Sequence, residues 1–356
     1  MKGLILAGGK GTRLRPITHT SAKQLVPVAN RPILFYAIEA IREAGIREIG
    51  VIVGHTKNEI MEACGDGSRW GVEITYIEQQ APLGLAHAVK VARDFLHDRR
   101  FVMYLGDNLI LDGIRAMVDE FRNENHASHI LLAKVPDPSQ FGVAELADGR
   151  VVRLVEKPRE PKSDLALVGV YLFDQPIFEA VDAIRPSARG ELEITDAIQW
   201  LVDHGYVVKP HIVTGWWKDT GKLEDMLEAN RMLLDSQAIT PAIEGSVDAA
   251  SSVSFKVRIE KGAEVRGSTI RGPAIIGAGT SIVDSYVGPF TSISDGCTLR
   301  KVEIEHSIVL AGSSITDIDG RIVDSLIGKN VEVAKSPARP RALRFMLGDS
   351  SKVEIG

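Results

Sequence analysis

Cysteine is nearly absent from this chain. Cys64 and Cys297 are its only two, far apart and in no Cys-x-x-Cys pair, which excludes a disulfide scaffold and a thiolate zinc site. Charge of one sign is also missing. Lys and Arg number 42 against 47 Asp and Glu, a net charge of −5 with no long basic run, which argues against a nucleic-acid partner. Nor does a long apolar run occur at the start. Met1-Lys2 leads through Gly3-Leu4-Ile5-Leu6 directly into glycines, too short for a signal-peptide core or a membrane span. A cytoplasmic protein without a membrane partner is therefore expected. The nine histidines show no metal spacing; His55, His87, His126 and His129 lie in different segments and read as solvated or core residues. What is present is 44% apolar and 25% charged residues over 356 positions, globular composition with length enough for two cores.

Two periodicities divide the chain. Up to about residue 235, short apolar runs at Gly3–Leu6, Ile49–Val53, Ile74–Ile77, Phe101–Leu105 and Ile130–Ala133 read as strands. Amphipathic stretches separate them. In one, Ile33, Ala37, Ala40, Ile41 and Ala44 share a face and Gly45 stops the helix. This alternation predicts an α/β domain with a mostly parallel sheet and ligands at the carboxyl ends of its strands. Beyond residue 245 the helical pattern ends. Aliphatic residues recur every five to seven positions, from Val247 and Val253 through Ile276, Ile282, Ile293 and Leu299 to Val333. Three hexads complete one turn of a triangular coil, so about five coils are expected, and the pattern resembles a left-handed parallel β-helix of hexapeptide repeats. The expected division is residues 1–235 as the first domain, 236–244 as linker, 245–335 as β-helix and 336–356 as tail.

The densest chemical signal is Leu6-Ala7-Gly8-Gly9-Lys10-Gly11-Thr12-Arg13-Leu14-Arg15-Pro16, directly after the first strand. Its glycines let the backbone approach a phosphate and aim N–H groups at it. The spacing fits neither a Walker loop nor a dinucleotide fingerprint: Gly8 is followed by Gly9 instead of lysine, and Leu14 stands where a third glycine belongs. A glycine-rich turn by itself leaves phosphate binding open.

The wider pattern is more specific. Gly8-Gly9-x-Gly11-Thr12-Arg13-Leu14-x-Pro16-x-Thr18, followed by Lys23-Gln24-Leu25-Val26-Pro27-Val28, closely resembles the sugar-phosphate nucleotidyltransferase family. Gln24, where proline is usual in cytidylyl and adenylyl relatives, points to the thymidylyl branch. The resemblance runs through the first 235 residues and implies a Rossmann-like nucleotidyltransferase domain with a mixed, mostly parallel sheet. It implies dTTP and glucose 1-phosphate as substrates, Mg²⁺ as cofactor and a homo-oligomer. Leu6, Gly8, Gly9, Gly11, Thr12, Arg13, Gln79, Pro82, Gly84 and Asp107 would then bind the nucleotide. Asn108, Gly142, Glu156, Lys157, Val168, Arg189 and Trp217 would bind the sugar phosphate. Asp107 and Asp219 would hold the metal, and with Arg13 and Lys23 they would form the catalytic set. Phe141 departs from the pattern, since tyrosine is usual there in short members, and one sugar contact is lost with its hydroxyl.

Each residue also has a plainer reading. Asp107 ends an apolar strand, where Asp commonly forms turns. Asp219, before Thr220-Gly221, reads as a cap for a helix over Lys222–Asp235. Trp216-Trp217 reads as core, and Lys157 before Pro158 as an exposed loop residue. The joint presence of Arg13, Lys23, Asp107 and Asp219 favours an active enzyme over an inactive regulatory relative. His306 within the repeats raises a second activity, acyl transfer, as an alternative; otherwise the repeats are expected to serve assembly and stability.

Overall fold

The structure, a computed structural model, describes the whole chain except residues 10, 20, 98, 237–239, 337–342 and 356. Parts of the expected linker and tail therefore lie outside the described residues. Before the repeats the strands are β1 (Lys2–Leu6), β2 (Pro27–Val28), β3 (Arg31–Pro32), β4 (Glu48–Val53), β5 (Glu73–Glu78), β6 (Phe101–Leu105) and β7 (Asn108–Ile110). They continue with β8 (Ser128–Lys134), β9 (Gly142–Ala147), β10 (Arg150–Glu156), β11 (Leu165–Phe173), β12 (Val208–Ile212) and β13 (Trp217–Asp219). The helices are α1 (Ile33–Glu43), α2 (Lys57–Cys64), α3 (Leu85–Val91), α4 (Arg93–Leu96), α5 (Arg115–Asn123), α6 (Pro176–Ala183), α7 (Ile194–Asp203) and α8 (Leu223–Asp235). No helix among the described residues is long and apolar enough to cross a membrane.

The chain divides into two compact units. One contains Met1–Lys10, Ser21–Leu25 and Ile33–Asp219; the other contains Gly11–Thr20, Val26–Pro32 and Thr220–Gly356. In the first, a nine-stranded sheet runs in the order β10-β9-β11-β6-β1-β4-β5, with β8 joined to β11 and β12 to β8. The five expected strands are present with ends within two residues. β1, β4, β5 and β6 pair in parallel. β11 pairs antiparallel with β6, β8 and β9, so the sheet is mixed. Alternate side chains of β1 feed opposite layers. Leu4 and Leu6 pack with Phe101, Phe173 and Ile198, whereas Ile5 packs with Ile38 and Ile41. Helix α1 buries Ile33, Leu34, Ala37, Ile38 and Ile41. It ends before Gly45, whose φ of 77° is a conformation glycine adopts without strain. β1 and β6 finish side by side: the Gly106 N–H donates to the Leu6 carbonyl at 3.0 Å. The turns that follow these two strands therefore start from one place at the carboxyl edge of the sheet.

In the second unit three parallel sheets of six, six and five short strands stack along the repeats. Val265, Ile282, Leu299, Ile315 and Val333 form one column, and Ile259, Ile276, Ile293, Val309 and Ile327 another. Successive members lie 16 to 18 residues apart, three hexads per coil, which fits the left-handed β-helix. The first rung starts at Ala242. Each hexad sends one aliphatic inward, and Ile259, Ile276, Ile282, Val287, Ile293, Leu299, Ile304 and Ile315 are fully enclosed. Corners fall at left-handed residues such as Asp284, Lys301, Asp317 and Asn330, which short polar side chains tolerate.

The repeats do not stand apart from the rest of their unit. Asn230 of α8 is fully buried. Its Oδ1 accepts the Ala29 N–H at 2.8 Å and the Ser292 hydroxyl at 2.6 Å, and its Nδ2 donates to the Phe290 carbonyl at 2.9 Å. Asn30 Nδ2 donates to the Ile293 carbonyl at 2.7 Å. One β-helix coil, α8 and the β2–β3 turn thus share a polar network.

Candidate active site

Lys23 sits in a short 3-10 turn, Lys23–Leu25, and is 6% exposed. Its Nζ lies 2.6 Å from Oδ2 of Asp107 and 3.8 Å from Oδ1 of Asp219. A lysine this deep in a protein needs paired negative charge to offset its lost hydration, and the two carboxylates supply it. Burial alone would raise the Asp107 carboxyl. The Lys23 charge and hydrogen bonds from Lys23 and Asn108 overcome that, so its pKa lies below the ordinary carboxylate value. Two carboxylates converge on one buried ammonium.

Backbone pairing brings those carboxylates together. β7 and β13 form an antiparallel ribbon in which Asn108 faces Asp219 and Ile110 faces Trp217. Asn108 is 2% exposed. Its Oδ1 accepts the Trp217 indole N–H at 2.7 Å and the Gly169 N–H at 3.2 Å, and its Nδ2 donates to Oδ1 of Asp107 at 3.1 Å. With every polar atom of Asn108 engaged, Trp217 and Asp107 are locked to each other. Phe141 adds an edge-on ring contact to Trp217 at 5.8 Å. Asp219 is therefore a strand residue, and at the start of α8 the Lys222 backbone N–H donates to the Asp225 carboxylate at 2.9 Å.

Gly8 and Gly9 follow β1. A Cβ on Gly8 would meet the Gly54 backbone at 3.5 Å and Oε1 of Gln79 at 3.9 Å; one on Gly9 would meet Nε2 of Gln24 at 3.6 Å. Gln79 Nε2 donates to the Gly84 carbonyl at 3.2 Å and lies 2.9 Å from Nδ1 of His87. Gly84, after Pro82, has φ of 105°, and a Cβ there would strike the Leu192 carbonyl oxygen at 2.3 Å. Glycine is required at that position. Gln24 is 2% exposed, and its Oε1 has no hydrogen-bond partner among the described residues. A buried amide acceptor left open beside a glycine turn is suited to a ligand donor. The sequence marked Gln24 as a branch residue without assigning it a contact, and the partnering of Gln79 by His87 had no sequence signal.

A second group lies on β10 and the segment before α7. Glu156 Oε1 is 3.3 Å from Nη2 of Arg189 and 3.8 Å from Nζ of Lys157, and its Oε2 accepts the Thr195 hydroxyl at 3.0 Å. Arg189 also meets Glu193 at 2.9 Å and Glu191 at 3.3 Å. Burial raises the Glu156 carboxyl above its usual value, opposed by the Thr195 hydrogen bond. A Cβ on Gly142 would stand 2.5 Å from Thr195 and 3.2 Å from Oε2 of Glu156, and Val168 is fully buried in β11. Glu156, Lys157, Arg189 and Gly142 are brought together, whereas Val168 lies fully buried in the core. Glu193 and Thr195, which the sequence reading did not name, complete this group.

Gly11, Thr12 and Arg13 belong to the second unit. Gly11 is left-handed, with φ of 62°, and caps the turn Thr12–Leu14. Arg13 is exposed, its guanidinium 3.2 Å from where a Cβ on Gly221 would stand. In the repeats, His306 Nδ1 meets Asp324 Oδ1 at 2.5 Å, and its Nε2 is enclosed without a partner among the described residues. Neither ring nitrogen of His306 is presented as an open base.

A mixed α/β sheet with a glycine turn beside paired carboxylates at its carboxyl edge defines a phosphate-handling protein. The family profile described as Nucleotidyl transferase matches residues 2–236, and the chain belongs to that family. Among curated relatives it is 56% identical over 356 residues to a glucose-1-phosphate thymidylyltransferase of Streptomyces griseus, spanning 100% of this chain and 99% of that one. It is 59% identical over 357 residues to the protein of the same name from Streptomyces antibioticus, with the same coverage. A solved Bacillus anthracis structure, described as a candidate glucose-1-phosphate thymidylyltransferase in complex with a sucrose, is 39% identical with a TM-score of 0.63. That likeness covers 67% of this chain and 96% of the other.

Proposed function

We propose that this protein transfers a thymidylyl group from dTTP to α-D-glucose 1-phosphate, forming dTDP-glucose and pyrophosphate. The observation that carries the reading is the buried Lys23 between Asp107 and Asp219, 2.6 and 3.8 Å away. Full-length likeness to two proteins named for this activity supports it.

The sugar phosphate is already an anion, so its attack on the α-phosphorus needs no general base. The protein must bring two polyanions together and offset charge on the departing pyrophosphate. Asp107 and Asp219 offer ionised, hard oxygen donors converging on one point, which fits a divalent cation. Mg²⁺ held there would polarise the α-phosphate and offset its charge. Lys23 neutralises the α-phosphate region, and Arg13 meets charge that develops on the pyrophosphate. The amide of Gln79 reads the imide edge of the base beside Pro82 and the Gly84 backbone. Leu6, Gly8, Gly9, Gly11 and Thr12 carry the nucleotide. Lys157 and Arg189 hold the sugar phosphate, Glu156 accepts sugar hydroxyls, and Asn108, Gly142, Val168 and Trp217 shape that pocket. The catalytic domain runs over 1–235, the linker over 236–244, the β-helix over 245–335 and the tail over 336–356, in a cytoplasmic homo-oligomer.

Pyrophosphate release across a grid of nucleoside triphosphates and sugar 1-phosphates tests the reading. Thymine and uracil differ by one methyl group, worth about 1–3 kcal/mol in an apolar pocket. Turnover should be fastest with dTTP and glucose 1-phosphate, slower with UTP and poor with purines. ATP or GTP as the best substrate would overturn it.

A further inference from the structure

Three histidines meet at the start of β8, two from the segment that enters it and one from the neighbouring strand β12. Glu120 and Glu124 lie four residues apart on α5 and the position just after it, on one helical face. His126 follows, His129 enters β8, and Lys209 and His211 alternate along the neighbouring strand β12. Nδ1 of His126 lies 3.1 Å from Nε2 of His129; Oε2 of Glu124 is 3.0 Å from the first and 3.2 Å from the second. These atoms form a nearly equilateral triangle.

Hydrogen bonds cannot satisfy all three edges. If both nitrogens carry protons, both donate to the carboxylate and the nitrogen pair is donor against donor. If one or neither does, at least one edge sets acceptor against acceptor. A cation above the triangle satisfies all three at once. A tetrahedral ion bound at about 2.0–2.1 Å keeps its ligand atoms roughly 3.3 Å apart, close to the separations found.

We propose that Glu124, His126 and His129 form a binding site for one divalent cation of the zinc class. His129, which is 0% exposed, is oriented from behind: its Nδ1 lies 3.0 Å from Nε2 of His211. Donation of that Nδ1–H to His211 leaves the Nε2 lone pair for the ion, the outer support that metal-bound histidines ordinarily have. Lys209 donates to Glu120 at 2.5 Å and to both oxygens of Glu124 at 2.9 and 3.1 Å. Glu124, reinforced by Glu120 beside Lys209, supplies the carboxylate charge that attracts a cation to this point. His126 and Glu124 are partly exposed, with side chains 25% and 31% accessible, so water can complete the coordination. A bound ion would tie the end of α5 to β8 and, through His211, to β12.

The test is Zn²⁺ titration of the chelator-treated full-length protein by calorimetry, with Co²⁺ absorption as a second readout. One tight Zn²⁺ equivalent per chain is expected, present in wild type and in Asp107→Asn but lost in His126→Gln and Glu124→Gln. Visible bands of tetrahedral Co²⁺ should follow the same pattern. His211→Asn should keep the equivalent and weaken it about 10–100-fold. Zn²⁺ should raise the melting temperature of wild type and leave that of His126→Gln unchanged, provided circular dichroism shows the variant folded. Equal zinc stoichiometry in wild type and His126→Gln, or no tight equivalent in wild type, would overturn the site. Unchanged affinity in His211→Asn would overturn the supporting role of that residue.

Discussion

Asp219 faces Asn108 across the ribbon of β7 and β13, so the two carboxylates around Lys23 are carried by one piece of paired backbone. Their convergence does not depend on flexible loops meeting. Asn108, anchored by Trp217 and Gly169, fixes the orientation of Asp107 at 3.1 Å. This arrangement yields the first prediction. Asp107→Asn and Asp219→Asn each remove a charge required at the reacting phosphorus, and each should lower kcat by orders of magnitude. Circular dichroism should show both folded, because asparagine retains the shape. Near-normal turnover in both at saturating Mg²⁺ would contradict the roles given to them.

The depressed pKa of Asp107 gives a prediction about acid stability. An unfolded aspartate titrates at about 3.9. A folded pKa below that value means Asp107 contributes stability above the unfolded pKa and loses it as pH falls through the folded one. Wild type should therefore lose stability below about pH 4 more steeply than Asp107→Asn. Denaturant titrations at several acidic pH values check the difference in slope.

Two basic residues are expected to separate kinetically. Arg13→Ala should reduce kcat more than it affects sugar phosphate binding, because its charge meets charge that develops on pyrophosphate. Lys157→Ala should chiefly raise KM for the sugar phosphate, whose charge is there from the start. Initial rates over both substrate concentrations distinguish the cases, and identical defects would contradict the assignment.

The polar network at Asn230 makes the repeats a structural matter for the β2–β3 turn. Asn230→Ala would leave the Ala29 N–H and the Phe290 carbonyl buried without partners. At about 1–3 kcal/mol for each unsatisfied group, unfolding free energy should fall by roughly 3 kcal/mol or more. Chemical denaturation measures this directly. A loss under about 0.5 kcal/mol, typical of an exposed site, would show that the network is not what holds these segments together. Truncation after Asp235 removes Phe290, Ser292 and Ile293 together, so it should lower the melting temperature, while any soluble product retains pyrophosphate-releasing activity.

Much of this molecule was legible in the sequence, for identifiable reasons. The parallel strands β1, β4, β5 and β6 announce themselves as short aliphatic runs between amphipathic helices, and the β-helix by aliphatic residues recurring about every six positions instead of the period of two that a β-sandwich would show. β11 was harder to read. Leu165–Phe173 is apolar nearly throughout and buried on both faces, so it lacks the alternation that marks an antiparallel strand. Asp107, Asp219 and Lys23 were found through the order of short motifs, whereas their geometry depends on the pairing of β7 with β13. The open acceptor of Gln24 follows from burial alone. Glu124, His126 and His129 lie close together in the chain but match no familiar ligand motif, and the support of His129 by His211 depends on a strand pairing across about eighty residues.

The central claim is transfer of the thymidylyl group itself, and the label on the α-phosphorus follows it. dTTP labelled at that atom, incubated with glucose 1-phosphate, Mg²⁺ and the full-length protein, should place the label in dTDP-glucose, with an equal amount of unlabelled pyrophosphate released. Label recovered as dTMP, or left in dTTP while glucose 1-phosphate is unchanged, would contradict the account.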